Sequence, residues 1–220
     1  MRKFNFLSYI LIMIILPIAI VSLCGNVVFR ISETYIYHFN DSQVIEDIGS
    51  IVTGGEVADS ITGYFNSPSR AEFQIYEQNG EFKDPIFDEV ESRAMHKAKR
   101  VLTWTLLGGI LLMAGGIALY IFMTGTVERE VLRLIGFITI GISAIELVVV
   151  DFLVARPGIR ALLYDKFIGE ALGEESTLRI LLGSPIQKTY IIFSSVLSLA
   201  VMGIFLYIHA SITREKRLFS

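Results

Sequence analysis

The chain has 220 residues, of which 53% are hydrophobic and 19% charged, and its mean hydropathy is +0.58. A globular core of this length cannot cover so much apolar surface with polar groups, so the composition excludes an ordinary soluble domain and favours the lipid bilayer as solvent. A net charge of −3 and a pI near 5.7 provide no basic surface, which excludes nucleic acid as a partner.

Four apolar segments are long enough to cross a membrane as helices. They cover residues 6–28, 101–122, 134–154 and 190–210. A helix needs about 20 apolar residues to cross a hydrocarbon core about 30 Å thick. The sequence therefore predicts a membrane α-helical protein with four transmembrane helices.

The basic residues near short loops predict the orientation. Those on one side of a four-span arrangement are Arg2, Lys3, Arg129, Arg133, Arg214, Lys216 and Arg217. Because such residues remain in the cytoplasm, we expect a multi-pass protein of the cell membrane with both termini cytoplasmic. Residues 1–29 then hold the N-terminus and first span, and residues 30–100 form an external domain. Residues 101–154 hold two spans and a short inner loop, residues 155–188 an external interfacial segment, and residues 189–220 the last span and C-terminus.

The external domain, residues 30–100, has the mixed pattern of an α+β fold. Residues 48–52 and 72–76 resemble strands, and Gly54-Gly55 and Asn79-Gly80 resemble turns, the second flanked as in a hairpin. The stretch 88–100 lacks Gly and Pro, which predicts a helix that continues into the second span.

The interfacial segment contains a second external helix. Apolar residues at 159, 162, 163, 167 and 168 alternate with charged residues at helical spacing, which predicts an amphipathic helix. This helix is expected either in the membrane interface or packed on the external domain.

Glycine pairs in the second span predict close helix packing. Gly108, Gly109, Gly115 and Gly116 lie on one helix face and allow a neighbouring backbone to approach. A helix–helix partner is expected there.

Glu146 is the ionisable residue that the third span has to accommodate, since a charge at the centre of a span costs about 2.5 kcal/mol or more. Asp151 and Arg156 follow it toward the outer surface. The alternatives are a functional site, a structural ion pair, or a protonated carboxyl hydrogen-bonded to another helix.

The three histidines are candidate general bases. His96, on the helix that enters the second span, is the strongest candidate, although a surface position is the default for a histidine among Lys and Arg. His38 could face a site but is expected to be packed or on the surface, and His209 is expected to lie at the membrane interface. The single Cys24 excludes a disulfide within the chain, and no motif for a metal or nucleotide is present, so no cofactor is predicted.

Residues 87–100 carry the most specific motif, F-D-E-V-E-S-R-A-M-H-K-A-K-R. It resembles a family of small four-span bacterial membrane proteins that includes the lipoprotein intramolecular transacylase, with roughly F-x-E-x-E-x-x-H-M-x-x-V-K-R before the second span. In an ungapped alignment the matching residues are Phe87, Glu89, Glu91, Met95, Lys99 and Arg100. Ala94 stands where the family has its histidine, and the segment 162–168, where a second is expected, has none.

The resemblance implies an enzyme that moves an acyl chain within a membrane lipoprotein at the outer leaflet. Such a transfer needs a base and donors to an oxyanion. The candidate bases are His96, Glu91 and Glu146, and the candidate donors or lipid-binding residues are Arg93, Arg156 and Tyr164. The alternatives are a non-catalytic relative that binds a lipid or membrane partner, and a subunit of a transport or export complex.

Overall fold

The computed structural model describes residues 2–42, 44–45, 53–68, 73–79, 82–159, 161–162, 172–173, 176–183 and 186–214. The elements in chain order are α1 (Arg2–Val28), α2 (Ser32–Ser42), α3 (Gly54–Asn66), β1 (Tyr76–Asn79), β2 (Phe82–Pro85), α4 (Glu89–Thr126), α5 (Arg129–Ala155), α6 (Thr177–Leu182) and α7 (Ile186–Thr213).

Helices α1, α4, α5 and α7 are the four described helices that are long and apolar enough to cross a membrane. Their apolar parts coincide with the four predicted spans, so the multi-pass prediction is confirmed by length and composition. The continuous helix from Glu89 through Thr126 also confirms that a helix leads directly into the second span. The orientation remains a prediction.

The chain divides into two compact units. The first unit comprises Met1–Cys24, Leu106–Val150 and Ser194–Ser220, and the second comprises Gly25–Thr105 and Asp151–Phe193. The first unit thus holds most of the four apolar segments, while the second holds the residues between the first two spans and those before the last.

Small residues allow α1 and α4 to pack closely in the first unit. A Cβ at Gly109 would lie 2.7 Å from Leu23 Cδ2, and one at Gly116 would lie 2.5 Å from Leu16 Cδ2. Gly108 and Gly115 would meet nothing within 4 Å. Two of the four glycines predicted to form a packing face, Gly109 and Gly116, therefore pack against the first helix of the same chain.

The second unit is built around a hydrophobic core that α3 helps to form. Thr53 and Glu56 make a capping box at its start, where the Thr53 side chain accepts from the Glu56 N–H and the Glu56 carboxylate accepts from the Thr53 N–H. The predicted turn at Gly54-Gly55 is wrong, because these glycines form the first helical turn. Buried α3 residues in the core are Val57, Ala58, Ile61 and Phe65.

Strand structure in the described residues is limited to one hairpin. Strands β1 and β2 pair antiparallel, with Tyr76 opposite Pro85 and Asn79 opposite Phe82, in agreement with the hairpin expected near Asn79-Gly80. The strand predicted at 72–76 begins only at its last residue, and residues 48–52 lie outside the described part. What is described of this unit is mainly helical and does not support an α+β domain.

Candidate functional site

The resemblance motif contains a buried carboxylate, Glu91, at the start of α4. The Glu91 N–H donates to Asp88 Oδ1 at 2.7 Å, and the Asp88 N–H donates back to Glu91 Oε2 at 2.9 Å, a reciprocal arrangement that caps the helix. Glu91 Oε1 accepts from the Ser176 hydroxyl at 2.6 Å and from the Leu178 N–H at 3.0 Å. Glu91 is only 4% exposed, and its carboxylate joins the N-terminal ends of α4 and α6.

The other motif residues near Glu91 are also structural. Phe87 and Met95 belong to the hydrophobic core of the second unit. Ala94, at the position of the family's histidine, is 1% exposed and belongs to the same core. The matching motif residues Phe87, Glu91 and Met95 are thus buried in this chain, and a small apolar side chain occupies position 94.

The candidate site residues on α4 do not contact one another in the described part of the chain. His96 is exposed and has no hydrogen-bond partner among the described residues, whereas Glu91 on the same helix is buried. Arg93 is exposed and pairs with Glu89 at 3.0 Å in an i, i+4 salt bridge. Neither side chain meets Glu91 in the described contacts.

The remaining predicted site residues lie elsewhere. Glu146 is partly buried in α5 of the first unit and makes no hydrogen bond or salt bridge with any residue that the structure describes. Arg156 belongs to the second unit, where its guanidinium carbon lies 4.5 Å from the centre of the Phe152 ring. Tyr164, with most of the predicted amphipathic helix at 159–168, lies outside the described residues.

His209 is buried in the first unit, and its predicted position at the membrane interface remains a prediction. Its Nδ1 lies 2.6 Å from the Tyr120 hydroxyl, and its Nε2 lies 3.2 Å from the Arg133 carbonyl oxygen. A carbonyl only accepts, so Nε2–H donates to Arg133 and Tyr120 donates to Nδ1. The missing side chain of Gly136 leaves room for the ring, since a Cβ there would overlap it. The imidazole therefore joins α4, α5 and α7.

His38 is packed in the second unit, which is one of the predicted alternatives. Its Nε2 lies 2.9 Å from the Leu181 carbonyl oxygen, to which it donates, and the residue is 1% exposed. Burial lowers the pKa of His38, although the Leu181 carbonyl and the Asp41 charge act in the opposite direction.

A polar network at the end of α1 was missed by the sequence analysis. The Asn26 amide donates to the Leu102 carbonyl at 2.6 Å and to Thr105 Oγ1 at 2.7 Å, and its oxygen accepts from Arg30 Nε at 2.9 Å. The network connects the end of the first apolar segment to the start of the second. An Asn followed by an Arg four residues later, at the end of an apolar run, is the sequence signal for it.

Arg30 and Lys99 meet the C-terminal end of α3. Arg30 Nη1 donates to the Phe65 carbonyl and lies 3.4 Å from Asn66 Oδ1. Lys99 Nζ lies 4.1 Å from the centre of the Tyr64 ring, on the same turn of α3. We call Asn26, Arg30, Tyr64, Asn66 and Lys99 the cationic cluster.

The cationic cluster brings Arg30 and Lys99 to the same end of α3. Arg30 forms no salt bridge with any carboxylate in the described part of the chain, and burial lowers its pKa. Lys99 lies within coulombic range of Arg30, so two like charges are held near each other.

Among the described residues, no group of three or more His, Cys, Asp and Glu side chains is suited to hold a metal ion. Comparison with family models, curated protein sequences and solved structures finds no match to this chain.

Proposed function

We propose that this chain is a non-catalytic four-span membrane protein that binds a membrane lipid, or the lipid part of a membrane partner, through its second unit. The observation that carries the proposal is that the described contacts of the motif at residues 87–100 are structural. Glu91 accepts from Asp88 in the cap of α4 and from Ser176 and Leu178 at the start of α6, and buried Ala94 replaces the expected histidine. The scaffold of the motif is present without its imidazole.

The location proposed for this function is the cell membrane. The basic residues that flank the short loops favour cytoplasmic termini. On that topology the second unit meets the outer leaflet, where the cationic cluster lies directly beyond the first apolar segment and directly before the second. A lipid headgroup is therefore the chemistry to which this unit has access.

The test measures both activity and binding. The full chain is expressed in bacteria that retain diacylated lipoproteins, and mass spectrometry reads the acylation of a reporter lipoprotein's N-terminal cysteine. We expect an unchanged reporter, together with phospholipid retained by the purified protein. Protein that retains no lipid and co-purifies with other membrane subunits would instead favour a role in a transport or export complex.

An acyltransferase acting on membrane lipoproteins is the second candidate, favoured by the motif at 87–100. A lyso-form reporter that disappears in His96→Ala would establish the enzyme and overturn the first proposal. Glu91→Gln is a weaker test of catalysis, because Glu91 also supports the fold. A matched control is Arg100→Gln, which changes an exposed residue on the same helix.

A further inference from the structure

We propose that Glu146 is an association site through which two copies of this chain pair within the membrane. Glu146 lies in α5, two residues beyond the middle of the apolar segment 134–154. At a rise of about 1.5 Å per residue, its backbone is about 12 Å from the nearer surface of the hydrocarbon core. A glutamate side chain is too short to cross this distance, so the carboxyl group needs a hydrogen-bond partner inside the membrane.

The described residues around Glu146 do not supply that partner. None of them makes a hydrogen bond or salt bridge with the Glu146 carboxyl group. The hydroxyls on the same side of α5 donate to backbone carbonyls of their own helix, Thr139 Oγ1 to Ile135 at 2.8 Å and Ser143 Oγ to Thr139 at 2.9 Å. A hydroxyl has one hydrogen to donate, so neither group donates to Glu146. Glu146 is also partly exposed, so another molecule can reach it.

Apolar side chains beside Glu146 form an exposed surface that another helix can cover. Ile142 precedes Glu146 by four residues and Val149 follows it by three, so both lie on its side of α5. Ile142 is 37% exposed and Val149 is 48% exposed. All three residues belong to the first unit. Within a bilayer, helices associate through van der Waals packing together with hydrogen bonds between polar side chains, and this surface offers both.

A second copy of the chain is the occupant that fits this surface. Two copies inserted in the same orientation are related by a two-fold axis along the membrane normal, so Glu146 lies at the same depth in each. A neutral carboxyl group both donates and accepts, and it therefore complements a second carboxyl group. The four apolar segments contain no Lys or Arg, so a copy has no cation to offer at this depth. Glu146 of one copy thus pairs with Glu146 of the other.

The dimerisation constant of the full chain in phosphatidylcholine vesicles tests the proposal. Single-molecule photobleaching over a range of protein-to-lipid ratios measures this constant. Glu146→Leu should weaken dimerisation about three- to twentyfold, the range expected for a hydrogen bond between membrane helices. Glu146→Gln should retain dimerisation, because an amide also donates and accepts. The matched control, Val148→Leu, changes a residue that is 67% exposed on the far side of the same helix and should behave as the wild type.

Disulfide trapping between copies locates the contact. Cys24 is buried and is the single cysteine of the chain, so a Cys24→Ala background with one added cysteine reports on one position. Ile142→Cys and Val149→Cys should each form a disulfide-linked dimer. Val148→Cys is the control at the same depth and should form little.

Each of the other outcomes overturns the proposal. A monomer at every protein-to-lipid ratio would rule out a second copy, and wild-type dimerisation in Glu146→Leu would place the association on another surface. A loss in Glu146→Gln as large as that in Glu146→Leu would mean that an ionised carboxylate meets a cation. Equal trapping at all three cysteine positions would show random collision. Circular dichroism melting identifies variants that fail to fold, and Glu146→Gln together with the cysteine variants keeps the test decisive if Glu146→Leu is one of them.

Discussion

The two units bury a polar side chain in different ways. In the second unit, the Glu91 carboxylate accepts from two backbone N–H groups and a hydroxyl, which belong to the starts of α4 and α6. In the first unit, His209 uses a phenol and one backbone carbonyl. Helix N-termini favour an anion, whereas an apolar helical bundle favours an imidazole with both nitrogens satisfied. Each residue has the partners of a structural group, so burial of a titratable residue here does not by itself indicate chemistry.

Glu91→Ala should cause the largest loss of stability of the variants considered in the two units. Removing the carboxylate leaves the N–H groups of Asp88 and Leu178 and the Ser176 hydroxyl without an acceptor. We expect a loss of about 3 kcal/mol in the free energy of unfolding, since the buried Leu178 N–H costs about 1–3 kcal/mol when it is unsatisfied and each of the two part-buried contacts contributes about 1 kcal/mol. Thermal or denaturant unfolding in detergent measures it.

Ser176→Ala and Glu91→Gln remove smaller parts of the same contact and should cause smaller losses of stability. Ser176→Ala removes one hydrogen bond and should cost about 1 kcal/mol. Glu91→Gln keeps one acceptor oxygen and should fall between Ser176→Ala and Glu91→Ala. Wild-type stability in Glu91→Ala would contradict the structural role and return Glu91 to the list of candidate bases.

Gly136→Ala should have the next largest effect, in the first unit. An added Cβ would overlap the His209 ring, whose position is fixed by Tyr120 and the Arg133 carbonyl. We expect a loss of about 1–3 kcal/mol, as is typical of overpacking in a tight core. The matched control is Gly141→Ala on the same helix, where a Cβ meets nothing within 4 Å. Equal thermal stability of the two variants would show that the ring moves freely.

The pH dependence of His38 gives a smaller effect in the second unit. Burial lowers its pKa, so the folded state favours the neutral ring. Its contribution to stability is present above the ordinary histidine pKa of about 6.5 and is lost as the pH falls through the lower folded-state value. Between about pH 7.5 and pH 5 the melting temperature should fall more in the wild type than in His38→Gln. Parallel curves for the two proteins would contradict this.

The spans and the helix leading into the second span could be predicted, because length and apolar content determine them locally. A signal for the start of α3 was also present in the sequence, because Thr53 and Glu56 have the spacing of a capping box and precede an apolar pattern. The two glycines between them instead suggested a turn. Here a hydrogen-bonded cap outweighs the weak helix preference of glycine.

The environment of His209 could not be predicted from its own segment. Its position near the end of the last apolar run suggested the interface, but Tyr120, Arg133 and Gly136 come from two other helices. Such contacts depend on how the helices pack, which spacing within one helix does not show. The Asn26 and Arg30 pair, in contrast, lies four residues apart on one helix end and could have been recognised.

The smallest expected change in stability concerns the contact between α1 and α4. Gly108→Ala meets nothing within 4 Å and replaces a poor helix former, so it should stabilise the chain by up to about 1 kcal/mol. Gly109→Ala has the same gain in helix preference, but its Cβ would lie 2.7 Å from Leu23 Cδ2. The side chain of Leu23 must shift, so the melting temperature of Gly109→Ala should lie below that of Gly108→Ala. The reverse order would mean that Gly108, and not Gly109, faces a neighbouring helix, as a helix–helix partner on the open glycine face would require.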